Sequence, residues 1–255
     1  MTIKLMFSNR VENSREILRF IKEFNSSEEI IFGNGDRNVI KLFKLESETI
    51  NIKSFKKPNL INKVAYKYFR KSKAKRSFEY ASILLQKGIG TPQPMAYYEN
   101  FDTVGLLESY YVSEHLSCDL TYRELVETDY PDAENILRQF TRFSYDLHQN
   151  GIEFMDHSPG NTLIKNDDDG KYSFYLVDLN RMKFHESMSF EMRMNNLRRL
   201  TPSKDMIIIM SNEYAKVSGE SEKSVFETLW RMTSDFQEKF SRKKRFKKQF
   251  QFWKK

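Results

Sequence analysis

An aspartate and an asparagine in one short loop, with a second aspartate farther along, most constrain what this chain can fold into. Asp156 and Asn161 are separated by four residues in the segment 154–164, and Asp178 follows the apolar run 175–177. The pattern predicts a tight loop, a two-stranded hairpin and an aspartate at the end of a strand. Two carboxylates and an amide held this way suit a hard Mg²⁺ ion together with a hydroxyl group. An ordinary loop and hairpin would carry the same residues, since Asp-x-x-x-x-Asn is common by chance.

The composition is that of a globular protein. The 255 residues are 39% hydrophobic and 14% aromatic, which is enough for one large domain or two lobes. A single cysteine, Cys118, excludes an internal disulfide and suits a reducing compartment. The N-terminal residues contain no apolar core of a signal peptide, and the aliphatic run 206–210 is too short to span a bilayer. We therefore expect a cytosolic protein or one attached to a membrane surface.

The positive charge is concentrated in two stretches. The net charge is +7, and Lys53–Arg76 contains ten basic residues and no acidic one. Ser241–Lys255 contains eight basic residues and again no acidic one. Such patches favour polyanionic partners, namely nucleic acid, anionic lipid or a phosphorylated glycan. A solvated protein surface is the alternative interpretation of each stretch.

The first half of the chain has the patterns of an antiparallel sheet with one important helix. Helical spacing covers Ser14–Phe24, and a longer helix is predicted from Ser72 to Gly88. Short segments with strand character are predicted at 30–32, 39–45, 49–55, 95–98 and 106–112. Gly33–Asn38 is expected to form the turn between the first two of these strands.

Helices dominate the second half. Pro131 is predicted to open a helix that Gly151 ends, and further helical patterns cover 190–200, 203–217 and 221–240. We therefore expect an α+β protein with a sheet-rich part followed by a mainly helical part. The predicted divisions are 1–113, 114–240 and a basic-aromatic extension at 241–255.

This order of features resembles the protein-kinase-like bilobal fold over almost the whole chain. Gly33 and Gly35 stand where a glycine-rich loop would cover the ATP phosphates, although Asn38 replaces the third glycine. Lys53 resembles the kinase lysine that contacts phosphates, and Glu79 resembles its ion-pair partner. A hairpin turn with a surface lysine and a surface glutamate would explain the same residues.

The resemblance also assigns the central loop. It implies that Asp156 is the catalytic base and that Asn161 and Asp178 bind Mg²⁺. The segment Ser113–Leu116 resembles the hinge, so the backbone of Glu114 and Leu116 is expected to bind adenine. His148, by contrast, is expected to be a packing or hydrogen-bonding histidine.

Two departures separate the chain from classical protein kinases. Phe154 and Met155 replace the histidine and arginine of His-Arg-Asp, so regulation by activation-loop phosphorylation is not expected. The second motif reads Asp178-Leu179-Asn180 in place of Asp-Phe-Gly. All the groups needed for phosphoryl transfer are nevertheless kept, which argues against an inactive kinase.

The closest resemblance is to the bacterial lipopolysaccharide kinase family, the Kdo and heptose kinases. The residues that carry it are the segments 75–80, 88–94, 156–161 and 177–181. The family resemblance implies an ATP- and Mg²⁺-dependent kinase. Its implied acceptor is a sugar hydroxyl of the inner core attached to lipid A. A phosphotransferase for a soluble small molecule, an atypical protein kinase and a non-catalytic nucleotide- or nucleic-acid-binding protein remain the alternatives.

The basic tail fits an acceptor in a membrane. Residues 241–255 interleave eight cations with four aromatic side chains, a composition that suits an anionic lipid surface. We expect this tail to hold the protein on the cytoplasmic face of the inner membrane, and a solvated tail is the alternative. Nucleic acid is not the expected partner, because no recognised RNA-binding motif accompanies the basic stretches.

Overall fold

The computed structural model describes residues 2–9, 11–28, 31–32, 38–46 and 48–252, and gives the backbone alone for 31–32 and 247–252. The chain forms two compact units. The first comprises Met1–Ser117 with Leu176–Arg181, and the second comprises Cys118–Tyr175 with Met182–Lys255. The first unit therefore ends four residues beyond the predicted division at 113, and it also includes a segment that is distant in sequence.

An antiparallel sheet forms the first unit. Its strands are β1 (Thr2–Phe7), β2 (Ile31–Phe32), β3 (Asn38–Lys44), β4 (Thr49–Phe55), β5 (Pro94–Phe101) and β6 (Leu106–Glu114). They lie in the order β1-β5-β6-β4-β3-β2. The helices of this unit are α1 (Ser14–Glu23), α2 (Leu60–Tyr68) and α3 (Lys73–Gln86). The sequence patterns did not indicate β1 or α2. Asn59 caps α2 by accepting a hydrogen bond from Asn62 N.

Side-chain alternation in the strands builds a separate apolar cluster on each face of this sheet. Tyr97 and Tyr98 are neighbours on β5 and therefore point to opposite faces. Tyr98 belongs to the cluster that contains Ile17 and Ile52, whereas Tyr97 packs against Phe78 of α3. Lys53 follows Ile52, so β4 directs Lys53 to the α3 face of the sheet.

The predicted central helix is present in the first unit. Ser72 caps α3 by accepting a hydrogen bond from Lys75 N. Ala74, Phe78, Ala81 and Leu84 form its buried side. Gly88 follows the helix with φ +72°, a conformation that favours glycine. These features account for the predicted boundaries at Ser72 and Gly88.

The second unit is mainly helical. Its helices are α4 (Tyr122–Glu127), α5 (Ala133–Gln149), α6 (Phe190–Leu197), α7 (Lys204–Ser218) and α8 (Glu222–Phe252). Its strands are β7 (Leu120–Thr121), β8 (Ile152–Phe154), β9 (Thr162–Asn166), β10 (Tyr172–Leu176) and β11 (Met182–Phe184). They pair as β10-β9-β7 and β11-β8. In the part of the chain that the structure describes, no helix is long and apolar enough to cross a membrane.

The core of the second unit lies between α5, α7 and α8. Phe140, Leu197, Ile207, Tyr214 and Leu229 are among its buried members. The helix predicted to open at Pro131 begins instead at Ala133, because Asp132 has φ +61° and cannot continue a helical turn. The basic extension at 241–255 was expected to continue the last helix, and α8 runs without a break to Phe252.

Candidate active site

The first unit brings Lys53 and Asp178 together. Lys53 is paired with Ile40 of β3 and Tyr111 of β6, so the middle of the sheet holds its backbone. Its Nζ donates a 2.6 Å hydrogen bond to Asp178 Oδ1 across 125 residues of sequence. The same ammonium lies 5.4 Å from the centre of the Phe55 ring. The predicted phosphate-binding lysine and the predicted metal-binding aspartate therefore form one ion pair.

The segment 88–94 explains how Asp178 reaches the first unit. Leu176 N donates to Gly90 O at 2.9 Å, and Thr91 Oγ1 donates to Leu176 O at 2.8 Å. Thr91 is buried, so water does not compete for this hydrogen bond. Leu179 is also buried. The Gly-Ile-Gly-Thr-Pro stretch thus fixes the backbone on which Asp178 stands.

Asp178 has an unusual backbone conformation. Its φ is +58°, in the left-handed region that a residue other than glycine enters at a cost of roughly 1–2 kcal/mol. The bonds to Leu176 on one side and the burial of Leu179 on the other hold it there. Asn180 Nδ2 donates to Asp178 Oδ1 at 2.7 Å and fixes the side chain. Strained residues held by their surroundings are typical of functional sites.

The predicted ion pair between Lys53 and Glu79 is wrong for this structure. Glu79 accepts hydrogen bonds from Lys71 Nζ at 3.0 and 2.8 Å, whereas Lys53 bonds to Asp178. The physical reason is local. Lys71 directly precedes the cap of α3, and its long side chain reaches the Glu79 carboxylate. Glu79 is partly exposed because it stands one position beyond buried Phe78. Proximity in sequence made Glu79 the candidate on α3 for an ion pair with Lys53, but spacing alone does not determine which lysine it pairs with.

Lys73, in the first turn of α3, interacts electrostatically with both Asp178 and Lys53. Burial lowers the pKa of Lys73, Asp178 opposes that shift, and Arg76, Lys53 and Arg181 lower it further. Burial also lowers the pKa of Arg76, with Arg181 contributing. Lys53 and Lys73 thus both act on Asp178, and Arg76 and Arg181 act on Lys73, a concentration of positive charge that suits phosphate oxygens. The only signal in the sequence was the spacing of Lys73 and Arg76, which places both on one side of a helix.

The second unit contains Asp156 and Asn161 in the loop after β8. Asn161 ends a 3₁₀ turn, Pro159–Asn161, and its Nδ2 donates to Asp156 O at 2.8 Å and to Ser158 Oγ at 3.3 Å. Because the amide nitrogen binds the loop, the amide oxygen is the atom left to coordinate a metal ion. The loop itself is therefore held in shape by the predicted metal ligand.

Arg199 contacts the predicted base, and sequence reasoning missed it. Its Nη1 donates to Asp156 Oδ1 at 2.9 Å and to Met155 O at 3.2 Å. The guanidinium lies 5.6 Å from the centre of the Phe236 ring of α8. Met155 replaces the arginine that precedes the aspartate in protein kinases, yet Arg199, just after α6, still supplies a guanidinium beside Asp156. No spacing rule could indicate a contact between residues 43 positions apart.

A buried polar network supports this loop from beneath. Asn196 Nδ2 donates to Phe154 O at 2.8 Å, and Asn196 Oδ1 accepts from His148 Nε2 and His157 Nδ1 at 3.2 and 3.3 Å. Those two ring nitrogens therefore carry the hydrogens. His148 Nδ1 is then free to accept from Tyr214 OH at 2.9 Å. The expectation of a hydrogen-bonding role for His148 is confirmed.

Both histidines of the network are neutral near pH 7. Burial lowers the pKa of His148 to about 3 and that of His157 to about 4, although the bond to Asn196 opposes the shift in each case. A neutral, fully packed network can fix the backbone of the loop without placing a charge beneath Asp156.

The predicted adenine-binding segment lies at the end of β6. Glu114 N donates to Gln93 O at 3.0 Å, and His115 N donates to Thr49 O at 2.9 Å. Glu114 and Leu116 are partly buried. Gly33 and Gly35, the predicted glycine-rich loop, lie outside the described residues. Burial, with Glu124 and Asp119, raises the pKa of nearby Cys118, so its thiol is not activated as a nucleophile.

The residues present fit a nucleotide bound with magnesium. In the first unit, Asp178 offers carboxylate oxygens and Lys53 an ammonium for phosphate; in the second unit, Asn161 offers an amide oxygen. Oxygen atoms are the ligands that Mg²⁺ prefers. Within the described ranges no group of three or more His, Cys, Asp or Glu side chains gathers as a metal site. Few protein carboxylates are needed when substrate phosphates complete the coordination of Mg²⁺.

A comparison with solved structures identifies the fold. The chain is similar to the structure described as "WaaP in complex with acyl carrier protein", with a TM-score of 0.63 and 12% sequence identity. The match covers 94% of this chain and 98% of that one. The protein is thus an α+β protein of the kinase-like fold, and the expected fold class is confirmed.

Comparison with protein-family models gives a narrower result. The Lipopolysaccharide kinase (Kdo/WaaP) family matches residues 45–219, and the chain belongs to this family. The protein is accordingly a phosphotransferase, a kinase acting on the lipopolysaccharide core. A search of curated protein sequences gave no match. The family suspected from the segments 75–80, 88–94, 156–161 and 177–181 is confirmed.

Proposed function

We propose that the protein transfers the γ-phosphate of ATP, with Mg²⁺, to a sugar hydroxyl of the lipopolysaccharide inner core, a Kdo or heptose residue attached to lipid A. The observation that carries the proposal is the 2.6 Å bond between Lys53 and Asp178. It joins the proposed phosphate-binding cation to the proposed metal-binding carboxylate. A contact between two charged groups adds nothing to the packing of the apolar core. Family membership supplies the class of acceptor.

Nucleotide binding falls to the first unit in this proposal. Lys53 binds phosphate oxygens, and Lys73, on which Arg76 and Arg181 act, adds positive charge near Asp178. Glu114 and Leu116 bind adenine through their backbone, and Gly33 and Gly35 cover the phosphates. Glu79 acts on this site only indirectly, because it is paired with Lys71. Bound Mg-ATP supplies the phosphoryl group and the charge that stabilises its transfer.

The second unit supplies the groups that act on the acceptor. Asp156 accepts the proton of the sugar hydroxyl, and Arg199 holds the Asp156 carboxylate in one orientation. Asn161 binds Mg²⁺ through its amide oxygen while its nitrogen holds the loop. Positioning and electrostatic stabilisation provide most of the rate enhancement, since phosphoryl transfer requires little covalent help from a protein.

The tail at 241–255 attaches the protein to the cytoplasmic face of the inner membrane in this proposal. Phe240 and Phe246 are exposed on α8, and a surface cavity of ≈ 470 Å³ is lined by them together with Phe236, Lys239, Arg242 and Lys243. Aromatic side chains beside cations suit the interface of an anionic bilayer. The proposed divisions 1–113, 114–240 and 241–255 therefore correspond to nucleotide binding, catalysis and attachment.

The test is transfer of labelled γ-phosphate from Mg-ATP to Kdo–lipid A, with the Asp178→Ala variant as control. Label in the glycolipid with the wild-type protein, and none with the variant, is the expected result. Label in a soluble sugar or in a protein, with the glycolipid unlabelled, would overturn the proposed acceptor. No nucleotide-dependent transfer to any acceptor would overturn the proposed reaction.

A further inference from the structure

Helix α2 turns its apolar side chains to solvent. Leu60, Ile61, Val64, Ala65, Tyr68 and Phe69 recur at the spacing that places residues on one side of a helix. In most surface helices such a stripe is buried against the core. Here Ile61 is 80% exposed and Phe69 is 86% exposed, and no residue of α2 is buried. Within the described residues, Leu60, Ile61, Tyr68 and Phe69 at the two ends of the stripe therefore remain exposed, whereas Val64 and Ala65 are half-buried.

The polar side of α2 holds the helix in this orientation. Lys63 Nζ bonds to Asp102 Oδ2 at 2.5 Å, and Lys67 Nζ donates to Thr103 O at 2.6 Å. Gly105 allows close approach, because a Cβ there would lie 2.2 Å from Lys63 O. These contacts tie α2 to the turn between β5 and β6, so rotation of the helix to bury its apolar side would break them.

The surroundings of the stripe are positively charged. Lys56 and Lys57 are exposed just before α2, and Arg70 is exposed just after it. No acidic residue occurs from Lys53 to Arg76. Exposed apolar side chains beside cations are the combination that places a helix in the interface of an anionic bilayer.

A cavity next to the helix adds a place for a lipid headgroup. It has a volume of ≈ 380 Å³, and its lining includes Lys56, Lys57, Asn59, Asn62 and Tyr66. Ammonium and amide groups at the start of a helix suit a phosphate, whose charge the helix N-terminus also favours. The cavity borders the start of α2, and Phe55, Lys73, Leu106 and Ser109 complete its lining. Because the stripe begins beside it, one phospholipid can engage both.

We propose that α2 with the preceding segment 56–59 is a docking surface for an anionic phospholipid bilayer. Ile61, Tyr68 and Phe69 enter the acyl boundary, and Lys56 and Lys57 bind headgroup phosphates. The proposal concerns the first unit alone and is independent of the tail at 241–255 and of the acceptor that the kinase uses. A bilayer fits better than an acidic protein, because the apolar stripe is outermost and exposed cations flank it at both ends.

The first test places a fluorescent reporter on the stripe. In the full chain with Trp230→Phe and Trp253→Phe, which removes the two native tryptophans, Phe69→Trp should give tryptophan emission that shifts to the blue and is quenched by brominated lipids. The vesicles are an equal mixture of phosphatidylglycerol and phosphatidylcholine. Ile208→Trp is the matched control, since Ile208 is 45% exposed on α7 of the second unit. Quenching at Ile208 equal to that at Phe69, or none at Phe69 while the protein sediments with vesicles, would overturn the proposal.

The second test removes the stripe. The double variant Ile61→Asp, Phe69→Asp should partition into these vesicles about tenfold less than the wild-type protein, because each buried apolar side chain and each cation contributes to binding. Ile208→Asp is the control, and circular dichroism confirms folding of each variant. Lys56→Gln with Lys57→Gln should reduce binding to anionic vesicles and leave binding to pure phosphatidylcholine unchanged. Unchanged partitioning of the double variant, or its selective loss of binding to an acidic protein in place of lipid, would overturn the assignment.

Discussion

Each unit holds a predicted site aspartate with a cation, but the two arrangements are built differently. In the first unit, Asp178 is bonded to Lys53 and Asn180 on a left-handed backbone, with further cations close by. In the second unit, Asp156 is bonded to Arg199 and stands on a loop that a neutral buried network supports. In the proposed reaction, the cations near the first carboxylate favour a polyanion, and packing and neutral hydrogen bonds hold the second carboxylate in place for proton transfer.

The largest effect is expected from Asp156. Asp156→Asn keeps the shape of the side chain but removes the proton acceptor, so the turnover number should fall by about 10²–10⁴-fold. Steady-state kinetics with saturating ATP measure it, and Asp129→Asn, an exposed aspartate of the same unit, is the control. Turnover within threefold of the wild-type value would remove Asp156 from its role as base.

Lysine substitutions distinguish the observed ion pair of Lys53 with Asp178 from the pair of Lys53 with Glu79 that kinase spacing predicts. Lys53→Met should lower kcat/KM for ATP by roughly 10²-fold, because it removes a charge-assisted contact with phosphate. Lys71→Met removes the partner of Glu79 and should change kcat/KM by less than about threefold, as an exposed ion pair contributes little. Lys73→Met should lower kcat/KM for ATP more than Glu79→Gln does. A greater loss in Glu79→Gln than in Lys73→Met would restore the classical arrangement.

The buried network predicts a dependence of stability on pH. The pKa of His157 is lowered to about 4 and that of His148 to about 3, from 6.5 in the unfolded chain. The unfolded chain therefore binds protons first as the pH falls, so stability is full above pH 6.5 and is lost as the pH falls towards these folded-state values. At pH 5 the loss should be about 2 kcal/mol for each histidine.

Urea unfolding at pH 7.5 and pH 5 measures this dependence. His148→Gln should show a smaller loss of unfolding free energy between the two pH values than the wild-type protein. His115→Gln, a partly buried histidine of the first unit, is the control and should leave the dependence unchanged. Equal pH dependence in wild-type and His148→Gln proteins would show that the network does not bury a neutral histidine.

The smallest effect is expected from a substitution of Thr91, whose hydrogen bond to Leu176 O supports the backbone of Asp178. Thr91→Val removes the bond to Leu176 O and leaves a buried acceptor with one partner fewer, at a cost of about 1–2 kcal/mol in unfolding free energy. The affinity for Mg-ATP should fall as well, because Asp178 loses its fixed backbone. Thr103→Val, at an exposed turn, is the control. An unchanged affinity and stability in Thr91→Val would show that the segment 88–94 does not position Asp178.

Local patterns were sufficient to predict much of the fold. The cap at Ser72, the glycine at 88 and the apolar positions of α3 lie within one stretch of sequence, and the Asp156–Asn161 loop lies within another. The partners of these residues were harder to predict. The contact of Arg199 with Asp156 and that of Lys53 with Asp178 depend on tertiary packing, which carries no periodic signal. Glu79 shows the consequence. Kinase spacing predicted an ion pair with Lys53, whereas Lys71, which is nearer in sequence, forms the ion pair with Glu79.

Helix α2 shows a different limit. The segment 59–70 lies within the basic stretch Lys53–Arg76, and the sequence patterns predicted no helix or strand for it. Periodicity indicates a helix but does not indicate which side faces the protein. The turn around Asp102 and Gly105 decides that question, and it lies about 40 residues away in the sequence.

The most direct measurement is calorimetric titration of Mg-ATP into the Asp156→Asn and Asp178→Asn variants, beside the wild-type protein. The account predicts that Asp156→Asn binds Mg-ATP with the wild-type affinity, because its carboxylate belongs to proton transfer. Asp178→Asn should bind at least about tenfold more weakly, because it removes a metal ligand and the partner of Lys53. Equal weakening in both variants, or none in Asp178→Asn, would contradict the division of roles between the two units.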